Sequence, residues 1–140
     1  MRTSIQGLKD DHSFVEKSLN ELTVYDVEKM RGTLARLFEV TKFHMYVEEE
    51  YVFPKIEEKP LSRTLLYQHV VIWNLFNDLL KEEYPNFDHL RLLLAMVSLH
   101  AFLEEERVYP YFKDTTLEVD ELPKGWEPRF ARPYDSMFDK

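Results

Sequence analysis

The sequence predicts an all-α protein, an up-down-up-down antiparallel four-helix bundle followed by an irregular C-terminal tail. Apolar residues recur at three- and four-residue steps through most of residues 4–113, which is the period of an amphipathic helix. No window alternates with period two for long enough to indicate a strand. Because short connections between long helices force neighbours to run antiparallel, four such helices predict a bundle.

Local signals bound the first two helices. Helix one is predicted over 4–22, with Thr3 and Gln6 spaced as a capping box. Helix two is predicted over 24–58, and Pro54 is expected to kink or break its last turns because proline lacks the backbone N–H.

The third helix is predicted to begin near Ser62 and to stop at Tyr84-Pro85-Asn86. The fourth is predicted over 86–113. Its apolar run from Leu92 to Leu103 is too short to cross a bilayer of about 30 Å. We therefore interpret this run as a core helix and predict no association with a membrane.

The chain changes character after Lys113. Three prolines and one glycine follow, with few positions at helical spacing. We therefore predict two parts, a bundle over 1–113 and an irregular segment over 114–140. The segment carries aromatic residues that favour packing on its own bundle, with a second subunit as the alternative: Trp126, Phe130, Tyr134 and Phe138.

Composition excludes several function classes. The chain has 140 residues, a net charge of −8 and no cysteine, so thiolate metal sites, iron–sulfur clusters and thiol catalysis are excluded. Its acidic balance argues against nucleic acid as a partner, because phosphate backbones are bound by clustered Lys and Arg. The first residues lack the apolar stretch of a secretory signal, so we expect a cytoplasmic protein.

The most informative feature is an internal repeat. Residues 43–57, FHMYVEEEYVFPKIE, match residues 99–113, LHAFLEEERVYPYFK. His12 and His69 on the first and third helices are each followed eight residues later by a similar Asn-acid-Leu triplet. The bundle is thus predicted to consist of two copies of one helical hairpin, each contributing a His and an H-x-x-x-E motif.

Helical rotation separates the glutamates of each motif. The first lies about 40° around the helix from the histidine, so both side chains can reach one ion. The second and third are rotated by about 140° and 240°, so we expect them to face solvent. They are, in order, Glu48, Glu49 and Glu50 after His44, and Glu104, Glu105 and Glu106 after His100. His89 lies about 16 Å along the helix from His100 and is predicted not to take part.

These polar residues sit among apolar neighbours, where an unpaired carboxylate is costly. A metal is the most economical explanation, and two ions bridged by two glutamates use every donor, whereas one tetrahedral zinc leaves some unused. The mixed nitrogen and oxygen donors suit iron or manganese, although the affinity order of divalent metals favours zinc or copper. The predicted metal-binding residues are His12, His44, Glu48, His69, His100 and Glu104.

The pattern H…H-x-x-x-E…H…H-x-x-x-E, with its repeated E-E-E-x-V-[FY]-P continuation, resembles the hemerythrin-like (HHE cation-binding) family over about residues 5–113. The resemblance implies two non-haem iron ions joined by an oxo or hydroxo bridge, with manganese or zinc as alternatives. It assigns one iron to His12 and His44 and the other to His69 and His100, with both glutamates bridging. Ferritin-like di-iron proteins differ in having E-x-x-H.

Two positions depart from the oxygen-carrying members of that family. Those proteins have a further histidine one turn after the third-helix histidine, where this chain has Trp73. They also place the fourth-helix carboxylate five residues after its histidine, which makes Glu105 an alternative to Glu104. Glu16, the repeat counterpart of Trp73, is a candidate replacement ligand.

The predicted function is that of a di-iron protein that binds or senses dioxygen or a related small ligand, such as peroxide or nitric oxide. Whether it is an enzyme stays open, because a di-iron peroxidase or oxidase is one alternative. An iron-level sensor or interaction module that uses its aromatic tail is another. Four tyrosines are candidates for hydrogen bonding or redox chemistry at the site, although packing in the core or at its rim is the better explanation of any one of them: Tyr46, Tyr51, Tyr67 and Tyr109.

Overall fold

Four long helices form the body of the molecule in a computed structural model, which describes residues 1–22, 27–83, 86–113 and 115–131. Each long helix packs on two others, in the cyclic order α1, α2, α3, α4 and back to α1. The predicted helical bundle is confirmed. The elements are β1 (Arg2–Ser4), α1 (Ile5–Glu21), α2 (Val27–Val47), α3 (Lys59–Lys81), α4 (Phe87–Arg107), α5 (Tyr109–Phe112) and β2 (Thr116–Glu118).

Side chains and prolines set the helix starts. The Ser4 hydroxyl accepts a hydrogen bond of 2.9 Å from the Gly7 amide, so the cap lies at Ser4 and the predicted Thr3 capping box is wrong. The Asn86 side chain caps α4. Helix α3 begins three residues earlier than Ser62, because Pro60 fits a first helical turn. The predicted start at Val24 and stop at Tyr84-Pro85 lie outside the described residues.

Helix α2 changes its winding immediately after the predicted metal motif begins. Regular α-helix ends at Val47, a π-helical turn spans Glu48–Val52, and a 3₁₀ turn follows at Phe53–Lys55. Pro54 accounts for the end of the helix at the 3₁₀ turn, since it cannot donate a helical hydrogen bond and its ring crowds the preceding turn. It does not account for the π-helical turn, because Pro110 occupies the equivalent position after α4. Helix α4 keeps its α-helical winding through the equivalent residues, so the two repeats differ in backbone although they match in sequence.

A short antiparallel sheet, which the sequence did not predict, joins the N-terminus to the start of the C-terminal segment. Strand β1 pairs with β2 so that Thr3 lies opposite Leu117. Beyond the pair, the Val119 amide donates a 2.8 Å hydrogen bond to the Met1 carbonyl. Strands of three residues are too short to produce a recognisable alternation, which explains why the prediction of no strand was wrong.

The core consists of two apolar clusters with the His and Glu side chains between them. One cluster contains Val15, Phe38, Ile72 and Val97 together with ten other buried residues. The second contains Ile5, Leu8, Val47, Leu65, Val108 and eight others. Along each long helix, the histidine lies between residues of one cluster and residues of the other. The polar layer is therefore sealed by hydrophobic packing at both of its ends.

Helix α4 was predicted to be a core helix, and the structure corrects this for one of its faces. Leu93, Val97 and Ala101 are buried, whereas the opposite face exposes apolar side chains: Leu92 at 47%, Leu99 at 48% and Phe102 at 61%. None of the helices in the described parts of the chain has the length and apolar character needed to span a membrane.

The C-terminal segment lies against the bundle. The Trp126 ring contacts Tyr46 of α2 and Trp73 of α3, with ring centres 5.8 and 6.1 Å apart. The Phe130 ring lies 4.7 Å from Tyr67. Asp114, Tyr134 and Phe138 lie outside the described residues, and the division into 1–113 and 114–140 stays a prediction.

Candidate metal centre

The four helices bring the six predicted metal-binding side chains into one buried layer. Two overlapping groups of donors form, and in each group the donor atoms lie within 4.8 Å of one another. Every member is at most 6% exposed, and Glu48 and Glu104 are fully buried. The first group is His12, His44, Glu48 and Glu104, and the second is His69, His100, Glu48 and Glu104.

The histidines direct their Nε2 atoms toward the two shared glutamates. His12 Nε2 lies 3.0 Å from Glu104 Oε1, and His69 Nε2 lies 3.1 Å from Glu48 Oε1. The Nε2 atoms of His69 and His100 are themselves only 3.1 Å apart. Such convergence of nitrogen and carboxylate donors is what a bridged pair of cations requires.

The opposite ring nitrogen of each histidine, Nδ1, has an oxygen partner at the edge of the layer. This contact fixes the orientation of the imidazole and, when Nδ1 donates, leaves Nε2 available for a metal. The partner always comes from a different helix. The four pairs are His12 with Glu105 at 2.9 Å, His44 with Asp11 at 3.0 Å, His69 with Glu49 at 2.8 Å and His100 with Gln68 at 2.7 Å.

Glu49 corrects the expectation that the second glutamate of each motif faces solvent. Its residue is 5% exposed, and its carboxylate contacts Nδ1 of His69 through Oε2 and the Arg129 backbone amide through Oε1. The C-terminal segment explains the burial, because the Arg129 backbone amide binds the Glu49 carboxylate, a long-range contact that helical spacing does not predict. Glu105, its repeat counterpart in α-helical backbone, keeps a side chain that is 43% exposed.

The candidates for additional ligands occupy other places. Glu105 contacts Nδ1 of His12 and therefore supports that ring from outside, whereas Glu104 lies among the converging donors. In the described part of the chain, Glu16 belongs to neither donor group. Trp73 stacks edge-on against Phe38 at 5.0 Å and contacts Trp126, so it serves packing between α2, α3 and the C-terminal segment.

Tyr109 is the tyrosine that reaches the centre. Its hydroxyl donates a hydrogen bond of 2.7 Å to Glu48 Oε2 and lies 3.3 Å from both Glu104 Oε1 and His12 Nε2. Its ring stacks on that of His12. Phe53, which occupies the same position in the first repeat, places its ring 5.1 Å from His69 without a hydroxyl. The two halves of the centre therefore differ by one proton donor.

Electrostatics hold the layer together as ion pairs. Burial opposes the imidazolium form of His100, but Glu104 and Glu48 outweigh it and raise the pKa of His100 to about 9. The pKa values of His44 and His69 are also raised against the effect of burial, chiefly through Glu48. Burial would raise the pKa of Glu48, yet His44 and the other histidines hold it well below its usual range. The carboxylates are thus ionised and available as ligands at neutral pH.

Two buried atoms of the donor set have no hydrogen-bond partner in the part of the chain that the structure describes, and a bound cation would satisfy them. Within the described residues, His44 Nε2 and Glu104 Oε2 are buried and have no hydrogen-bond partner. His44 Nε2 lies 3.2 Å from Glu48 Oε1 in a geometry that makes no hydrogen bond. Leaving such groups unsatisfied costs about 1–3 kcal/mol each, a cost that coordination of a metal removes.

A small cavity of about 30 Å³ lies beside the layer. Three of the four clustered histidines, His44, His69 and His100, form part of its wall. The rest is largely apolar and includes Val15, Val40, Met45, Ile72 and Val97. Since about 10–15 Å³ of such space holds one water-sized molecule, the cavity has room for a diatomic molecule.

Sequence reasoning missed the roles of Glu49, Asp11 and Gln68. A signal was nevertheless present in the repeat. Glu49 and Glu105 are identical at matching positions, and Asp11 and Gln68 each directly precede a histidine. Because all four are oxygen-bearing side chains beside predicted ligands, the repeat could have marked them as hydrogen-bond partners of the histidines.

Fold and site together define a helical bundle with a buried cluster of His and Glu side chains that could hold metal ions. The sequence profile of the hemerythrin HHE cation binding domain matches residues 3–122, so the chain belongs to this family. The match extends through β2 and beyond it into the C-terminal segment. No curated protein and no solved structure matches the chain.

Proposed function

We propose that this protein binds two iron ions in the polar layer and that the pair binds dioxygen, nitric oxide or a related small molecule. Each ion is held by two histidines and both glutamates. The proposal of two ions is supported by the two donor groups, which share Glu48 and Glu104. The residues proposed to bind metal are His12, His44, Glu48, His69, His100 and Glu104.

The observation that carries the small-ligand proposal is the cavity against His44, His69 and His100. Its wall is largely apolar, with Asp11 and Thr41 as further polar members, and its small volume favours a diatomic molecule over a larger ligand. The iron pair supplies the redox-active binding position. The protein supplies four oriented imidazoles, two bridging carboxylates and a space limited to a few atoms.

Anaerobic reconstitution with Fe²⁺ tests the proposal. We expect about two irons per chain by elemental analysis and a stoichiometric, reversible change in the optical spectrum on adding nitric oxide or dioxygen. Binding of a single zinc in a colourless protein, with no iron taken up, contradicts the di-iron proposal. Two irons without any response to either gas contradict the proposed ligand alone.

The position of Tyr109 favours a second candidate function, the reduction of peroxide at the proposed pair of iron ions. The Tyr109 hydroxyl oxygen lies 2.7 Å from Oε2 of Glu48 within the donor layer, and burial, with Glu104 and Glu48 beside it, raises the pKa of Tyr109 well above its usual value, so the phenol is neutral at neutral pH. Reduction of one hydrogen peroxide to two waters consumes two protons and two electrons, which an added reductant such as ascorbate provides. Steady consumption of ascorbate over many turnovers favours this enzyme, whereas a single stoichiometric spectral change favours ligand binding.

A further inference from the structure

The C-terminal segment reaches the polar layer through one backbone group. The Arg129 amide donates a 2.7 Å hydrogen bond to Oε1 of Glu49, whose other oxygen lies 2.8 Å from Nδ1 of His69. The Glu49 and His69 side chains are 2% and 0% exposed. A continuous chain of two hydrogen bonds therefore runs from the C-terminal segment to one of the proposed ligands.

The geometry points to a positioning role for the Arg129 amide. By holding Glu49, it orients His69 and thereby sets the metal affinity of the half of the centre that contains His69 and His100. This inference rests on the proposed metal site. It assigns residues 115–131 a function in the centre, in addition to covering the bundle.

Two hydrogen bonds are needed because one does not fix a glutamate. The terminal torsion of a Glu side chain has a broad energy minimum, so a carboxylate held at one oxygen still rotates. The Arg129 amide occupies the second oxygen of Glu49 and stops that rotation. The Glu49 oxygen that contacts His69 Nδ1 is therefore held in one position, and this position orients the His69 ring so that its Nε2 points at Glu48.

The backbone around Arg129 is anchored on both sides. Three residues earlier, the Trp126 ring packs against Tyr46 and Trp73. One residue later, the Phe130 ring packs against Tyr67 of α3, the helix that carries His69. The short 3₁₀ turn at Arg129–Ala131 also fixes the direction of the amide. The Arg129 amide is therefore held in place by ring packing before and after it in the chain.

The other repeat has a weaker arrangement. Glu105 supports His12 in the way that Glu49 supports His69, but its side chain is 43% exposed. Solvent competes for the hydrogen bonds of an exposed carboxylate, so its orientation is less defined. We therefore expect the two halves to differ in metal affinity, with the half containing His69 more dependent on the C-terminal segment.

A proline at position 129 tests the role of the amide directly, because it removes the N–H and is compatible with the first position of a helical turn. The comparison is Arg129→Pro against Arg129→Ala, since both lack the side chain and only the alanine variant keeps the donor. Zn²⁺ binding is measured by competition with a chromogenic chelator. Loss of a group that orients a ligand weakens binding by about 10–100-fold, and we expect Arg129→Pro to lie near the lower end for one of the two ions.

Two further measurements separate this role from general loosening. Tryptophan fluorescence of Arg129→Pro should retain the wild-type emission maximum if the segment stays docked. In a Glu49→Gln background, the difference between the proline and alanine variants should disappear, because the acceptor chain is already broken. A docked Arg129→Pro variant that binds Zn²⁺ as tightly as Arg129→Ala overturns the inference. If the unmodified protein binds no metal at all, the proposed function fails instead.

Discussion

The Tyr109 hydroxyl donates a 2.7 Å hydrogen bond to Oε2 of Glu48, a fully buried carboxylate that both donor groups share. The bond links α5 to the π-helical turn that follows α2. It gives Glu48 a fixed proton donor that the equivalent Phe53 does not give to the other half. This hydroxyl is one of the differences between the two halves of the centre.

Replacing Tyr109 by phenylalanine should leave Glu48 Oε2 without this donor and lower the free energy of unfolding by about 1–3 kcal/mol in metal-stripped protein. Urea denaturation measures the change. Tyr111→Phe in the same short helix is the control, because Tyr111 is 83% exposed. Equal denaturation midpoints for the two variants would show that the hydrogen bond contributes nothing.

Removing a histidine from either donor group should lower the metal content of the protein. We expect His12→Ala and His69→Ala to lose about one equivalent of metal or both, since each removes a proposed ligand and leaves a buried donor set incomplete. His89→Ala serves as control, because His89 contacts Glu82 at the surface and belongs to neither group. Elemental analysis gives the stoichiometry, and full metal content in either test variant refutes the assigned ligand.

Metal binding should release protons at neutral pH. Without a bound metal, the pKa of His100 is about 9, so at pH 7 its Nε2 carries a proton that an ion must displace. Apparent affinity is therefore expected to rise from pH 7 to about 9. The stabilising ion pair of the metal-stripped protein is lost over the same rise in pH. Calorimetry in buffers of different ionisation enthalpy counts the protons, and pH-independent binding over this range contradicts the assignment.

Substitutions of two residues that contact histidine Nδ1 atoms should change metal affinity in opposite directions. Asp11 contacts Nδ1 of His44, and Gln68 contacts the equivalent Nδ1 of His100. Asp11 is a carboxylate, whereas Gln68 is a neutral amide. We expect Asp11→Asn to weaken metal binding by about 10-fold or more, because a carboxylate partner makes an imidazole more basic. Gln68→Glu should strengthen it. Chelator competition measures both, and changes of the same sign in the two variants would rule out this explanation.

Filling the cavity should separate ligand binding from metal binding. Ile72 lines the cavity, whereas its neighbour Val71 is 40% exposed on the same helix. Ile72→Phe is expected to keep both metals and to slow nitric oxide binding at least about 10-fold, at a stability cost of about 1–3 kcal/mol from overpacking. Val71→Phe should bind at the normal rate. Stopped-flow absorbance measures the rates, and unaltered binding in Ile72→Phe excludes this cavity as the ligand site.

The sequence by itself determined the four helices and the side chains that share a helical face. Apolar periodicity indicated the long helices, and the spacing of His44 and Glu48 placed both on one side of α2. These features are local, since the direction of a side chain around its own regular helix follows from residue number alone. The repeat then indicated which residues from separate helices would meet, and their role as metal ligands stays a prediction.

Only the tertiary structure decided how the layer is supported. The C-terminal segment covers Glu49, which regular helical spacing predicted to face solvent. The strands of β1 and β2, and the contact from Arg129, join residues separated by most of the chain. Such pairings depend on how helices and segments pack on one another. Local spacing carries no information about them, because it describes one element at a time.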